Sequence, residues 1–142
     1  MLDNKLSWKQ QIAHVKTKIS RTISILYKIR NLLLSPTKLM LYNILVLPYL
    51  QYCCVAWGTA SRSALAPLKV LQKRAIRIVK NANYIAHTHM LFKETKVLKL
   101  EDLKDAEMHK FVHKQIQVTN PLIPLQYNAE IHNYHTRQRF NL

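Results

Sequence analysis

A single glycine, Gly58, serves a chain of 142 residues. Tight hairpins draw on glycine for positive backbone φ, so one glycine beside five prolines leaves little material for a hairpin-built sheet. Hydrophobic residues still make up 49% of the sequence, enough for a core. The expected fold class is all-α: a helical bundle of three main helices plus a fourth helix and an irregular C-terminal tail.

Periodicity places the helices. Ser7 and Gln10 fit a capping box, in which hydroxyl and carboxamide satisfy free backbone N–H groups reciprocally. Trp8, Ile12, Val15, Ile19, Ile23, Leu26 and Leu33 then recur at helical spacing as one apolar stripe. In "SPTKLM", Ser35 suits a cap and Pro36 a first helical position. A second helix is expected from there to Trp57, kinked at Pro48, with Gly58 free to take the left-handed conformation past its end. A third follows "TASRSALAP", capped by Ser61, Ser63 or Ala66, with Pro67 near its first turn and Leu68, Leu71, Ala75 and Ile78 or Val79 inward. "NANYIAHTHMLFKETKVLKL" reads as a linker with a short helix from Thr88, and "KLEDLKDAEMHKFVHKQIQ" as a fourth helix. The organisation expected is a basic bundle over residues 1–82, a connector over 83–120 and an extended or poorly ordered tail over 121–142.

Charge sharpens this outline. The formal net charge is +15, from 22 Lys+Arg against 7 Asp+Glu. Between Asp3 and Glu94 there is no acidic residue, while 15 of the basic ones fall there. Self-repulsion on that scale disfavours a compact state unless a polyanion lies alongside, which points first to nucleic acid and second to an anionic membrane surface. On the third helix Lys69, Lys73, Arg77 and Lys80 are spaced four, four and three, one row with Arg74 at its edge. Lys16, Arg21 and Lys28 stand off the stripe of the first helix. These eight cations are the candidate nucleic-acid-binding residues. In the fourth helix acids and bases interleave, as on an ordinary solvated face.

The tract "YNILVLPYLQYCCVAWG", Tyr42 to Gly58, carries no charge. Leu39 to Trp57 would reach ~28 Å as a helix, close to the ~30 Å core of a bilayer. Asn43, Gln51 and three tyrosines within it, and amphipathic helices on both sides, favour a helix buried by its neighbours, so no integral membrane association is expected. The adjacent Cys53 and Cys54 read as reduced thiols of an intracellular protein, nuclear or cytoplasmic.

Catalytic motifs for phosphate cradling, acyl transfer or zinc hydrolysis do not occur. The histidine pairs His87/His89, His109/His113 and His132/His135 lack cysteine or carboxylate partners at ligand spacing, and no metal or cofactor is expected. Two-metal chemistry needs clustered acids, and the first 93 residues offer Asp3 alone. The chain by itself is not expected to be an enzyme.

Several stretches together, "LDNKLSWKQQI", "LYNILVLPYLQYCCVAWG", "LQKRAIRIVKNANYIAHTHMLFKETKVLKLEDL" and "IHNYHTRQ", resemble the region just after the polymerase palm in reverse transcriptases of non-LTR, LINE-type retrotransposons. The resemblance spans nearly the whole chain and lies in the order and spacing of these words. The family's "Y-x-D-D" word does not occur, nor does the "LGV"-like strand before the "LD" word. The resemblance therefore implies a C-terminal piece, the helical thumb and connector, that holds a template–primer duplex, an RNA–DNA hybrid or an RNA or DNA backbone without catalysing, and leans on the polymerase palm. Two other readings compete: a basic amphipathic protein on membrane surfaces, and a small helix-turn-helix DNA module whose one base-reading carboxamide on the third helix would be Gln72.

Overall fold

The computed structural model describes residues 7–118. Among them stand seven helices and no strand: α1 (Lys9–Ile29), α2 (Ser35–Leu45), α3 (Leu47–Gln51), α4 (Cys54–Trp57), α5 (Arg62–Val79), α6 (Thr88–Thr95) and α7 (Leu100–Gln117). The all-α expectation holds. The tail expected over 121–142 lies outside the described residues.

Helix α1 buries the residues that its periodicity selects, Ile12, Val15, Ile19, Ile23 and Leu26, and lays them along α5. Its start differs from the expected capping box. Trp8 is the N-cap, in the left-handed conformation at φ 56°, and no side chain caps it. The Trp8 indole packs on the core, so apolar burial helps anchor this end.

The second apolar tract is not one kinked helix. Pro48 has no N–H to offer the carbonyl of Ile44, and the chain breaks two residues before it, at Val46 (φ −111°, ψ −50°). A second break, unforeseen, falls at Tyr52 and Cys53. Cys53 turns left-handed at φ 52°, and the Trp57 indole N–H donates to the Tyr52 carbonyl at 2.7 Å, occupying an acceptor that the break exposes. Ser35 is the first helical residue and not the cap, which is Leu34 in extended conformation, with Pro36 close behind it in the first turn. Gly58 is right-handed at φ −66°. Its small size matters for another reason: a Cβ there would run into the Cys54 carbonyl oxygen and stand 2.8 Å from Cγ of Lys104.

Through both breaks the inward positions keep their spacing. Tyr42, Val46, Leu50, Cys54 and Trp57 are all buried, in one core with the inward residues of α1 and α5. The tract is not buried all round, as an unbroken central helix would be. Met40, Ile44, Leu45, Tyr49 and Tyr52 on its other side are exposed.

Helix α5 is capped by Ser61, whose hydroxyl accepts from the N–H of Ala64 at 3.3 Å. Pro67 sits in its second turn, one turn later than expected, and the carbonyl that it leaves without an N–H belongs to Ser63, an exposed residue that water can reach. Leu65, Leu68, Ala75, Ile76, Ile78 and Val79 are buried. The helix closes with a left-handed Asn81 (φ 51°) and a backbone bond from the N–H of Ala82 to the carbonyl of Arg77, the Schellman arrangement with asparagine where glycine is usual. Helix α6 ends the same way on Lys96 (φ 53°), with the Val97 N–H bonded to the Phe92 carbonyl. A chain with one glycine thus gives its helix ends to Asn and Lys.

The chain divides into two compact units, residues 1–107 and 108–142, joined within α7. The first unit holds the core, which Phe92, Leu100 and Leu103 complete. Of the second unit the described part is the remainder of α7, where His113 and Gln117, one turn apart, bring ring and amide nitrogens within 3.5 Å.

Candidate nucleic-acid interface

The cation row lies on α5, and the fold decides which of its members remain open. The segment after α5 returns acids to the row. Lys69 pairs with Glu101 at the start of α7, and Lys80 pairs with Glu94 of α6 at 2.8 Å. The Lys69 hydrogen bond, and then its charge, hold the Glu101 carboxyl below the usual glutamate range. The row is therefore not free of acids in space as it is along the chain. Arg77 is half-turned inward: its Nε donates to the Ala86 carbonyl at 3.0 Å and its guanidinium lies 6.0 Å from the centre of the Tyr84 ring. Lys73 and Arg74 are exposed and make no ion pair among the described residues. On α1, Lys16, Arg21 and Lys28 are likewise exposed without an ion pair among the described residues.

Gln72, one position from Lys73, does not face outward. It is 2% exposed. Its amide nitrogen donates to the Tyr42 hydroxyl at 3.0 Å and to the Leu98 carbonyl at 2.9 Å, and its carbonyl oxygen accepts the N–H of Leu100 at 2.9 Å. The Tyr42 hydroxyl and the Leu100 N–H are buried and would otherwise lack a partner, so Gln72 is a fastener between α2, α5 and the start of α7. Burial raises the Tyr42 hydroxyl's pKa above the usual tyrosine value, with the Gln72 bond opposing it. A side chain so engaged cannot read bases, which removes the residue on which the helix-turn-helix reading depended.

Two grooves flank the row on one side each. Lys69 and Lys73 open into one of ≈ 420 Å³ with His87, His89 and Lys99. Arg74 and Arg77 open into a larger one of ≈ 620 Å³ that runs to the end of α1, where Tyr27, Arg30 and Asn31 form the far wall. The loop Asn81–Tyr84 closes its near end. Under that groove lies Lys38, which has no exposed surface; its Nζ donates to Asn81 Oδ1 at 2.6 Å and to the Arg30 carbonyl at 3.2 Å. Desolvation, and then the charge of Arg30, lower its pKa below the ordinary lysine value.

Sequence reasoning selected Arg74 and Arg77 but not Tyr27, Arg30, Asn31, Asn81, Asn83 or Tyr84. The signal lay in "KNANY", where an asparagine follows the last helical turn at the position that favours a left-handed residue. Among the described residues no three His, Cys, Asp or Glu side chains converge as a metal site. No helix of the described residues is long and apolar enough to cross a membrane.

Comparison with known proteins agrees with the family resemblance. The chain is 28% identical over 142 residues to the RNA-directed DNA polymerase from mobile element jockey of Drosophila melanogaster, covering 97% of this chain and 15% of that protein. It is 28% identical over 120 residues to the corresponding protein of Drosophila funebris, covering 82% of this chain and 13% of that protein. The chain thus spans about a seventh of the length of the curated relatives that it matches. No family model matches it, and no solved structure does. By sequence it is similar to a segment of these RNA-directed DNA polymerases of a mobile element.

Proposed function

We propose that this chain is a nucleic-acid-holding segment, thumb and connector, of a LINE-type RNA-directed DNA polymerase. It grips a template–primer duplex or element RNA by the phosphate backbone and does not catalyse by itself. The observation that carries the reading is the open face of α5, where Lys73 and Arg74 stand exposed without a carboxylate partner among the described residues. Phosphate contacts position a duplex without reading its sequence, and cations lacking outward carboxamides on the same face suit that task. On this reading Lys16, Arg21 and Lys28 add to the field that attracts the polyanion. The apolar residues left exposed along α2 and α3, Met40, Ile44, Leu45 and Tyr49, would face the polymerase palm.

The salt dependence of binding tests the reading. Each phosphate neutralised on B-DNA contributes about −0.9 to the log–log slope of affinity against salt. Changing Lys73 and Arg74 together to Gln should flatten that slope by about 2 and weaken binding to all sequences alike. The same change at Lys104 and Lys110 of α7 serves as a control of equal charge. Equal losses in both variants would mean that net charge alone governs binding, and the α5 face would lose its assigned role. A loss confined to one DNA sequence would contradict backbone recognition.

A further inference from the structure

We infer that the groove between the ends of α1 and α5 is a site for an unpaired nucleotide, taken from a single strand that leaves the duplex held on α5. The inference rests on the nucleic-acid reading above and adds a second kind of contact to it. The ≈ 620 Å³ groove is within the roughly 300–1,000 Å³ of clefts that take small ligands. Its lining supplies the three chemistries that a nucleotide presents, and no carboxylate is among them.

The phosphate would meet guanidinium groups. Arg30, Arg74 and Arg77 converge on the groove from two helices, and planar guanidinium forks match phosphate oxygens. The base face would meet tyrosine. Tyr84 is 78% exposed and Tyr27 45% exposed, a large outlay of aromatic surface that the core does not use. Each ring is already accompanied by a guanidinium, Arg30 at 4.1 Å over Tyr27 and Arg77 at 6.0 Å from Tyr84. Such pairs make a flat cationic platform on which a base stacks irrespective of its identity. The base edge would meet the carboxamides of Asn31, Asn81 and Asn83.

The fold holds these groups in place. Asn81 is pinned twice, by its left-handed backbone at the end of α5 and by the buried Lys38 ammonium on its Oδ1. With its oxygen so engaged, Asn81 has its two amide N–H groups left to donate. Lys38 also ties the Arg30 carbonyl, so one buried cation registers the end of α1 against the end of α5 across the groove floor. Because Arg74 and Arg77 belong to both the row and the groove, a strand can pass from one to the other without leaving positive potential.

The test compares two probes on the full chain by fluorescence anisotropy: a blunt RNA–DNA hybrid, and the same hybrid carrying a short single-stranded RNA extension. The extended probe should bind more tightly. Tyr84→Ala should cut that advantage by roughly fivefold to a hundredfold, the range expected for one stacked base, while affinity for the blunt hybrid and the salt slope stay as they were. Tyr84→Phe should retain the advantage. An extension that adds nothing to wild-type binding, or a Tyr84→Ala loss equal on both probes, would overturn the groove assignment while leaving the duplex face standing. Binding of the extended probe alone, still dependent on Tyr84, would support the groove and overturn the duplex face. Displacement of the extension by a free mononucleotide at equal concentration would replace the strand with a soluble nucleotide and so refute the proposal.

Discussion

Helix α5 has a groove at each end, and the two differ in what their cations face. At its N-terminal end Arg62, Lys69 and Lys104 line a pocket of ≈ 250 Å³ together with Glu101 and Asp105. Lys69 is paired with Glu101, and Lys104 lies 3.6 Å from Asp105. At the C-terminal end Arg30, Arg74 and Arg77 line a groove more than twice as large with no carboxylate in its wall. Both ends of α5 lie in the acid-free stretch of the sequence between Asp3 and Glu94. The difference arises because α7 brings Glu101 and Asp105 into the wall of the first pocket, whereas the acid that returns to the other end, Glu94 of α6, meets Lys80 outside the groove wall. Net charge measures how strongly a chain attracts a polyanion; which cations are left to touch it depends on where the few acids fold back.

The largest expected effect comes from unfastening α7. Gln72 holds Leu98 and Leu100 to α5, and so holds Glu101 near Lys69. Gln72→Leu would strand the buried Tyr42 hydroxyl and Leu100 N–H and cost the partly exposed Leu98 carbonyl its bond. At roughly 1–3 kcal/mol for each buried group so stranded, unfolding stability should fall by about 2 kcal/mol or more. Urea unfolding followed by circular dichroism measures it. A loss under about 1 kcal/mol would mean that the acid-bearing segment does not depend on this fastening.

A smaller effect should follow from removing the acids themselves. Glu94→Gln with Glu101→Gln releases Lys80 and Lys69. Stability near neutral pH should change little, since both glutamates are at least half exposed, whereas the salt slope of duplex binding should steepen by about 2. An unchanged slope would place these two lysines off the nucleic-acid path and sharpen the contrast between the two ends. The pH dependence has a definite sign. The Glu101 carboxyl is held below its ordinary range in the folded chain, so its contribution is present above the unfolded value of about 4.3 and is lost as pH falls through the lower folded value. Glu101→Gln alone should flatten that part of the acid-unfolding curve.

The smallest effect is a matter of reactivity at the N-terminal end. Cys54 lines the N-terminal pocket and is buried; desolvation first, and then the negative charge of Glu107, push its thiol up to about 11, against the opposing charge of Lys104. At about pH 8 only about one molecule in a thousand would carry the thiolate there, whereas Cys53 is exposed. Iodoacetamide should label one cysteine of the native chain, Cys53, and both in denaturant. Rapid labelling of Cys54 in the native chain would show that this end opens more readily than its packing implies.

The sequence by itself determined the helical class, the inward stripes and the excess of cations. A lone glycine discourages hairpins, and the spacing of Ile12 to Leu26 or of Tyr42 to Trp57 states which side is apolar whatever the backbone does between them. These are local properties, set by neighbours within two turns. The tertiary structure alone decided that the tract around Pro48 breaks twice, since the second break depends on an indole reaching the Tyr52 carbonyl. It alone turned Gln72 inward, where three partners from two other segments meet it, and set Lys38 under the groove with Asn81 and Arg30. It alone divided one row of cations into those answered by Glu94 and Glu101 and those left open. Each of those outcomes is a meeting of residues far apart along the chain, and no periodicity encodes which distant carboxylate, carbonyl or amide a side chain will find.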